Sequence, residues 1–232
     1  MGCPSPPRII GDIIWMTHIK LPIFPLSGVI LFPSMQIPLH IFEPRYRDMV
    51  GQALAKDRLI GLIQPQEITV DQHSKADAHG KKQPQLFTIG TVGRIADVEA
   101  MEDGRYNIVL EGVQRFTVVK ELDVTTAFRQ IEAALWSEKE ASELLSLGER
   151  AALEMEGRKF AEAQGYKVDW ESVIKLDDHT LVNAIAQIAP FDMAAKQALL
   201  EVDGMAKRCE LLVQLMQFYG RHDGDEKIVT LQ

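Results

Sequence analysis

Five prolines fall at positions 22, 25, 33, 38 and 44 of this 232-residue chain, and nothing else in the sequence constrains the fold as strongly. Each fixes φ near about −65° and removes a backbone donor. The run Leu21-Pro22-Ile23-Phe24-Pro25-Leu26 therefore cannot be helical and is predicted as an extended or edge strand. Val29 to Phe32 and Ile37 to Phe42 are expected as further short extended runs, parted by Pro33-Ser34. Pro44 suits the first position of a helix, and Tyr46, Met49, Val50 and Leu54 recur at helical spacing behind it.

The β-rich character continues to Trp136. An apolar run spans residues 58–63, and Leu86 to Val98 and Tyr106 to Val119 read as long strands around Met101-Glu102-Asp103-Gly104-Arg105. Asp-Gly between β-rich runs signals a hairpin. Alternation slips near Gly90, Gly93 and Gly112, which predicts bulges that bend a sheet toward a barrel. Phe128 to Trp136 supplies another strand. Between these runs, residues 65–84 form a polar stretch expected as a long surface loop.

From Ser137 onward the composition changes: Pro190 is the single proline, and Ala, Leu, Glu and Lys dominate. An amphipathic pattern runs from Ala141 to Ala163 and stops at Gly165. Shorter helices are expected after Asp169, over Asp178–Ala189 and Asp192–Val202, and from Gly204 to about Tyr219. Asp192 and Asp203 stand where N-caps are wanted. Cys209, Leu212, Leu215, Met216 and Tyr219 make an apolar stripe on the last helix. The expectation is an α+β protein: an N-terminal extension outside the fold (1–17, with Met16 a candidate start), a β-rich pseudo-barrel (18–136), a helical subdomain (137–222) and a C-terminal tail (223–232).

Charge and motifs narrow the function. Residues 1–136 carry 14 Lys and Arg against 15 Asp and Glu; residues 137–232 carry 11 against 18. An acidic helical half repels phosphate backbones and offers no basic stripe. No apolar run reaches the length of a membrane span. The two cysteines, Cys3 and Cys209, form no C-x-x-C pair and fit a reducing, cytoplasmic setting. Phosphate-binding loops of the Walker or dinucleotide type and a G-x-S-x-G elbow are all missing. His73 and His79 with Asp71 and Asp77 could be written as metal ligands, but a flexible polar stretch gives them no fixed geometry. His40, in an apolar extended run, reads as a structural histidine. No catalytic residue, metal or cofactor is expected.

Leu21 to Pro33 followed by Pro38-Leu39-His40-Ile41-Phe42-Glu43-Pro44-Arg45-Tyr46 closely resembles the opening of the Lon protease N-terminal, substrate-binding domain family. Ile89 to Ile95, Asp103 to Tyr106, Glu111 to Phe116 and the tail from Leu199 to Leu212 extend the resemblance over about residues 18–220. The resemblance implies a PUA-like β pseudo-barrel followed by a helical bundle. It also implies a non-enzymatic role in holding polypeptides, as an adaptor or holdase in protein quality control, with a protease or chaperone as a further partner. The ATPase and Ser-Lys peptidase modules of full-length Lon proteases are not expected in a stand-alone member of this size.

Candidate peptide contacts are Arg45, Tyr46 and Met49 on the first helix and Met101 at the hairpin tip, in an apolar groove or along an unpaired strand edge. Glu43 and Arg115 are expected to form a structural ion pair between the helix start and the hairpin strand. PUA-like barrels include RNA readers, so RNA binding is the alternative. Against it stand only scattered arginines: Arg94, Arg105, Arg115 and Arg129.

Overall fold

The computed structural model describes residues 17–66, 84–136 and 143–225. The N-terminal extension, most of the polar stretch with its His and Asp residues, and the junction at 137–142 lie outside the described residues. The elements run β1 (His18–Pro25), β2 (Gln36–Ile41), α1 (Pro44–Leu54), β3 (Leu59–Ile63), β4 (Ile89–Ala100), β5 (Tyr106–Glu121) and β6 (Gln130–Leu135). The helices α2 (Leu147–Ala163), α3 (Trp170–Val173), α4 (Asp178–Ile188), α5 (Met193–Glu201) and α6 (Met205–Asp225) follow. Among the described residues no helix is long and apolar enough to cross a membrane.

One six-stranded sheet has the order β2-β5-β4-β3-β1-β6. The 16-residue β5 has two partners on one side: its first part pairs with β2 and its second part with β6. That second pairing curls the sheet into a pseudo-barrel. The curl needs bends, and the register between β4 and β5 slips between Val92 and Gly93, opposite Gly112, and again between Ile95 and Asp97. Gly112 is also a close approach: a Cβ there would run into the Phe32 carbonyl oxygen. The Met101–Arg105 turn closes with Met101 N–H donating to the Arg105 carbonyl at 2.9 Å, and Gly104 takes φ +79°.

The run Val29 to Phe32 departs from expectation, for it joins no strand ladder. It threads between two cores instead. Ile30 and Phe32 pack with the helices, whereas Leu31 packs with α1 and the sheet. Buried backbone groups need partners, and side chains supply them. Gln187 accepts from Phe32 N–H at 3.0 Å and donates to the Ile30 carbonyl at 2.8 Å. Thr91 Oγ1 donates to the Leu31 carbonyl at 2.5 Å, Gln64 to that of Val29, and Asn183 to that of Pro33 at 3.2 Å.

Two helix starts also differ from the sequence reading. α2 begins at Leu147 rather than near Ala141, because Ser146 and Glu149 form a reciprocal capping box that sets its first turn. The Met205 N–H at the start of α6 is met by Glu143 at 2.7 Å, not by Asp203. Asp169, Asp177 and Asp192 cap α3, α4 and α5.

Candidate functional site

The first parts of β5 and β2, with the last part of β4, form a three-stranded tongue ending in the 101–105 turn. Strand alternation gives it two faces. Ile37, Leu39, Ile41, Ile108 and Leu110 turn inward to a core shared with α1. Pro38, His40, Asn107 and Glu99 turn outward and are exposed.

The outward face is ordered by a cross-strand relay. Arg105 Nη1 lies 3.3 Å from His40 Nε2, His40 Nδ1 lies 2.7 Å from Asn107 Oδ1, and Asn107 Nδ2 donates to Glu99 at 2.8 Å. These partners suit His40 Nδ1 donating to Asn107 and Nε2 accepting from Arg105. Asp103 anchors the other side of Arg105 at 2.6 Å and has its pKa lowered chiefly by that hydrogen bond. Phe42 follows β2, stacks on His40 at 6.2 Å and remains 60% exposed. A large apolar ring fixed beside a rigid polar frame is a candidate contact for another chain.

The tongue's backbone edges are each blunted at one point. Odd-numbered residues of β2 direct their backbone to β5, as the 2.8 Å bond from Gly112 N–H to the Met35 carbonyl indicates. Pro38 therefore faces outward without a donor, a known way of blunting an edge. On the far edge the Val98 N–H is taken by the Asp97 carboxylate at 2.9 Å. Both features work against strand addition, the second of the two binding modes expected from the sequence.

The sequence-derived candidates separate on this frame. Tyr46 is 6% exposed and Met49 is fully buried, so both belong to the core beneath the surface. Tyr46 packs on Phe24 at 4.3 Å, and burial raises the pKa of its phenol. Arg45 is exposed and lies over the Tyr46 ring at 4.5 Å. Met101 is half-buried at the turn, and Arg47 of α1 lies against the neighbouring Gly104.

Glu43 and Arg115 take different partners from those expected. Glu43 pairs with Arg45 at 2.8 Å. Arg115 is 1% exposed and donates to the Leu200 and Val202 carbonyls at 2.6 Å each, its guanidinium 3.7 Å over Trp136. The carbonyls ending α5 carry the negative end of its dipole, and a cation is favoured there. Sequence reasoning passed over Phe42, Arg105, Asn107 and Glu99. Strict alternation from Ile37 to Ile41 was the signal that positions 38, 40 and 42 face outward.

Arg105 is held by Asp103, Arg115 is buried, and Arg129 is paired with Glu121 at 2.6 Å. Of the four scattered arginines, three are thus committed to intramolecular partners, and they form no stripe for nucleic acid. Among the described residues no group of three or more His, Cys, Asp or Glu could hold a metal ion.

A curled mixed sheet followed by a helical bundle defines a non-closed, PUA-like barrel with an appended α-helical part, and solved Lon N-terminal domains share this architecture. The Lon N-terminal domain protein from Xanthomonas campestris superposes with TM-score 0.62 at 21% identity, covering 84% of this chain and 98% of that one. The N-terminal domain of a Mycobacterium avium complex Lon protease gives 0.61 at 17% identity, covering 86% and 98%. The family model for the substrate-binding domain of ATP-dependent protease La (LON) matches residues 20–217. The chain belongs to the Lon substrate-binding domain family. It is 26% identical over 209 residues to the Lon protease of Escherichia coli (strain K12), and 28% over 196 residues to Lon protease 1 of Syntrophobacter fumaroxidans. These alignments cover 86% and 83% of this chain but only 25% and 23% of the relatives, so the chain spans about a quarter of their length.

Proposed function

We propose that this protein is a non-catalytic polypeptide-holding module that binds exposed segments of other proteins on the outer surface of its tongue. The match to a substrate-binding domain over residues 20–217 carries this reading. The surface supports it through Phe42, exposed beside the His40–Arg105 relay, with Arg45 and Met101 kept as further candidates and Tyr46 and Met49 in the core that seats α1. The five prolines and the hydrogen-bonded frame lower the ordering cost of binding. In the cytoplasm such a module acts as an adaptor or holdase, passing its clients to a protease or chaperone.

The test is binding of a permanently unfolded model protein by the purified chain without nucleotide, with aggregation of a heat-unfolded client followed in parallel. The expected result is saturable binding and slowed aggregation. No binding to any unfolded model and no change in aggregation would refute the reading, and a salt-sensitive gel shift with structured RNA would redirect it.

A further inference from the structure

The joint between the pseudo-barrel and the helices contains a small cavity lined by residues that include Val29, Leu62, Gln64, Thr91, Gln197 and Leu200. Its free interior admits one water molecule, far below the several hundred Å³ of a typical metabolite pocket. Gln197 on α5 lines it, is 3% exposed, and has no hydrogen-bond partner for Oε1 among the described residues.

The orientation of this amide is fixed by its other end. Nε2 donates to the Ile89 carbonyl at 3.2 Å and to Glu201 Oε1 at 2.8 Å, using both of its protons. Turning the amide over would set Oε1 against two acceptors. Oε1 therefore points where a donor is required, and an unsatisfied buried acceptor costs about 1–3 kcal/mol. Thr91, 1% exposed, lines the same cavity, and its hydroxyl donates to the Leu31 carbonyl while keeping acceptor capacity.

We propose that this cavity is a built site for one resident water molecule, which donates to Gln197 Oε1 and to Thr91 Oγ1 and so bridges α5 to β4. The size of the space and two polar partners meet the conditions for buried structural water. The Gln197 amide and the water together complete the hydrogen bonding of the joint, where the Val29–Leu31 segment passes between the two cores. The site is independent of the tongue and of whatever binds there.

High-resolution crystallography of the full chain tests this directly. The expected result is an ordered water at hydrogen-bonding distance, about 2.6–3.2 Å, from Gln197 Oε1. An Oε1 that instead meets a protein donor, or a dry cavity, overturns the proposal. In solution, oxygen-17 relaxation dispersion is expected to show one fewer long-lived water in Gln197→Met than in the unsubstituted protein. An equal number in a folded variant also overturns it.

Discussion

Arg115 and Arg208 share one acceptor: the Val202 carbonyl oxygen lies 2.6 Å from Arg115 Nη1 and 3.3 Å from Arg208 Nη2. One arginine comes from β5 and the other from α6, and both are at most 1% exposed. Arg208 also reaches the Leu199 carbonyl at 3.1 Å and Asn183 at 3.2 Å. The end of α5 is thereby clamped to the barrel and to the last helix at once.

Removing either clamp strands buried carbonyls. Arg115→Ala and Arg208→Ala are each expected to lower unfolding free energy by about 3 kcal/mol or more, since hydrogen bonds from charged groups contribute about 1.5–3 kcal/mol each. Arg115→Lys keeps the charge but loses the planar fork over Trp136, and is expected to recover only part of the loss. Urea denaturation of the single and double variants checks this. Because either arginine alone still serves the Val202 carbonyl, the double variant is predicted to lose more than the sum of the singles.

Two glycines should respond oppositely to alanine. Gly112→Ala drives a Cβ into the Phe32 carbonyl oxygen, inside the barrel joint. A loss of about 3 kcal/mol or failure to fold is expected, as for overpacked cores at their worst. At Gly51, within α1, an added Cβ would enter open space, with no neighbouring element within 4 Å. Gly51→Ala is expected to gain about 0.5–1 kcal/mol from helix propensity and unfolded-state entropy. Thermal melts of the two variants suffice to compare them.

The prolines, the Asp-Gly turn and the Asp N-caps made most of the elements legible, because each depends on local chemistry. The slips at Gly93 and Gly112 marked a bulge that the strand register contains. Val29 to Phe32 could not be read correctly. Its unbroken apolar run suits a short buried strand, and only the folded chain brings Gln64, Thr91, Gln187 and Asn183 to replace the ladder. Arg115 misled for a related reason: two of the acceptors that hold it are backbone carbonyls 85 and 87 residues away, which leave no side-chain signature. For the candidate surface, alternation in β2 was sufficient to turn Phe42 outward but was not applied to it.

Acid should weaken the helical half through its caps. Asp177 accepts from Thr180 N–H at 2.8 Å, and Asp192 from Ala195 N–H at 2.7 Å and Tyr219 Oη at 2.7 Å. Both pKa values are lowered, chiefly by those backbone hydrogen bonds. A lowered folded-state pKa means fewer bound protons than in the unfolded chain, so this stability is present above the unfolded value of about 3.9 and is lost as pH falls through the folded one. Asp177→Asn/Asp192→Asn keeps an acceptor at each cap. Its stability is expected to lie below the unsubstituted protein at neutral pH and to converge with it as pH falls through the lowered folded-state values, as measured by urea midpoints across pH.

Cys209 should be inert while the fold is intact. It is 2% exposed, and burial pushes its thiol pKa up to about 11. At pH 8 the thiolate is about one part in a thousand, and thiolate is the reactive form. In a Cys3→Ser background, disulfide-reagent labelling is expected to be at least about 100-fold slower for the native protein than in denaturant. Comparable rates would mean that this part of α6 opens readily.

The central claim, a polypeptide held on the outer face of the tongue, is tested most directly by backbone NMR titration with an unfolded model protein. The predicted result is shift changes concentrated at His40, Phe42, Arg45 and Met101–Arg105, with Phe42→Ser abolishing them while leaving the thermal midpoint unchanged. Changes confined to the helices, or binding that is equally strong in Phe42→Ser, would contradict it.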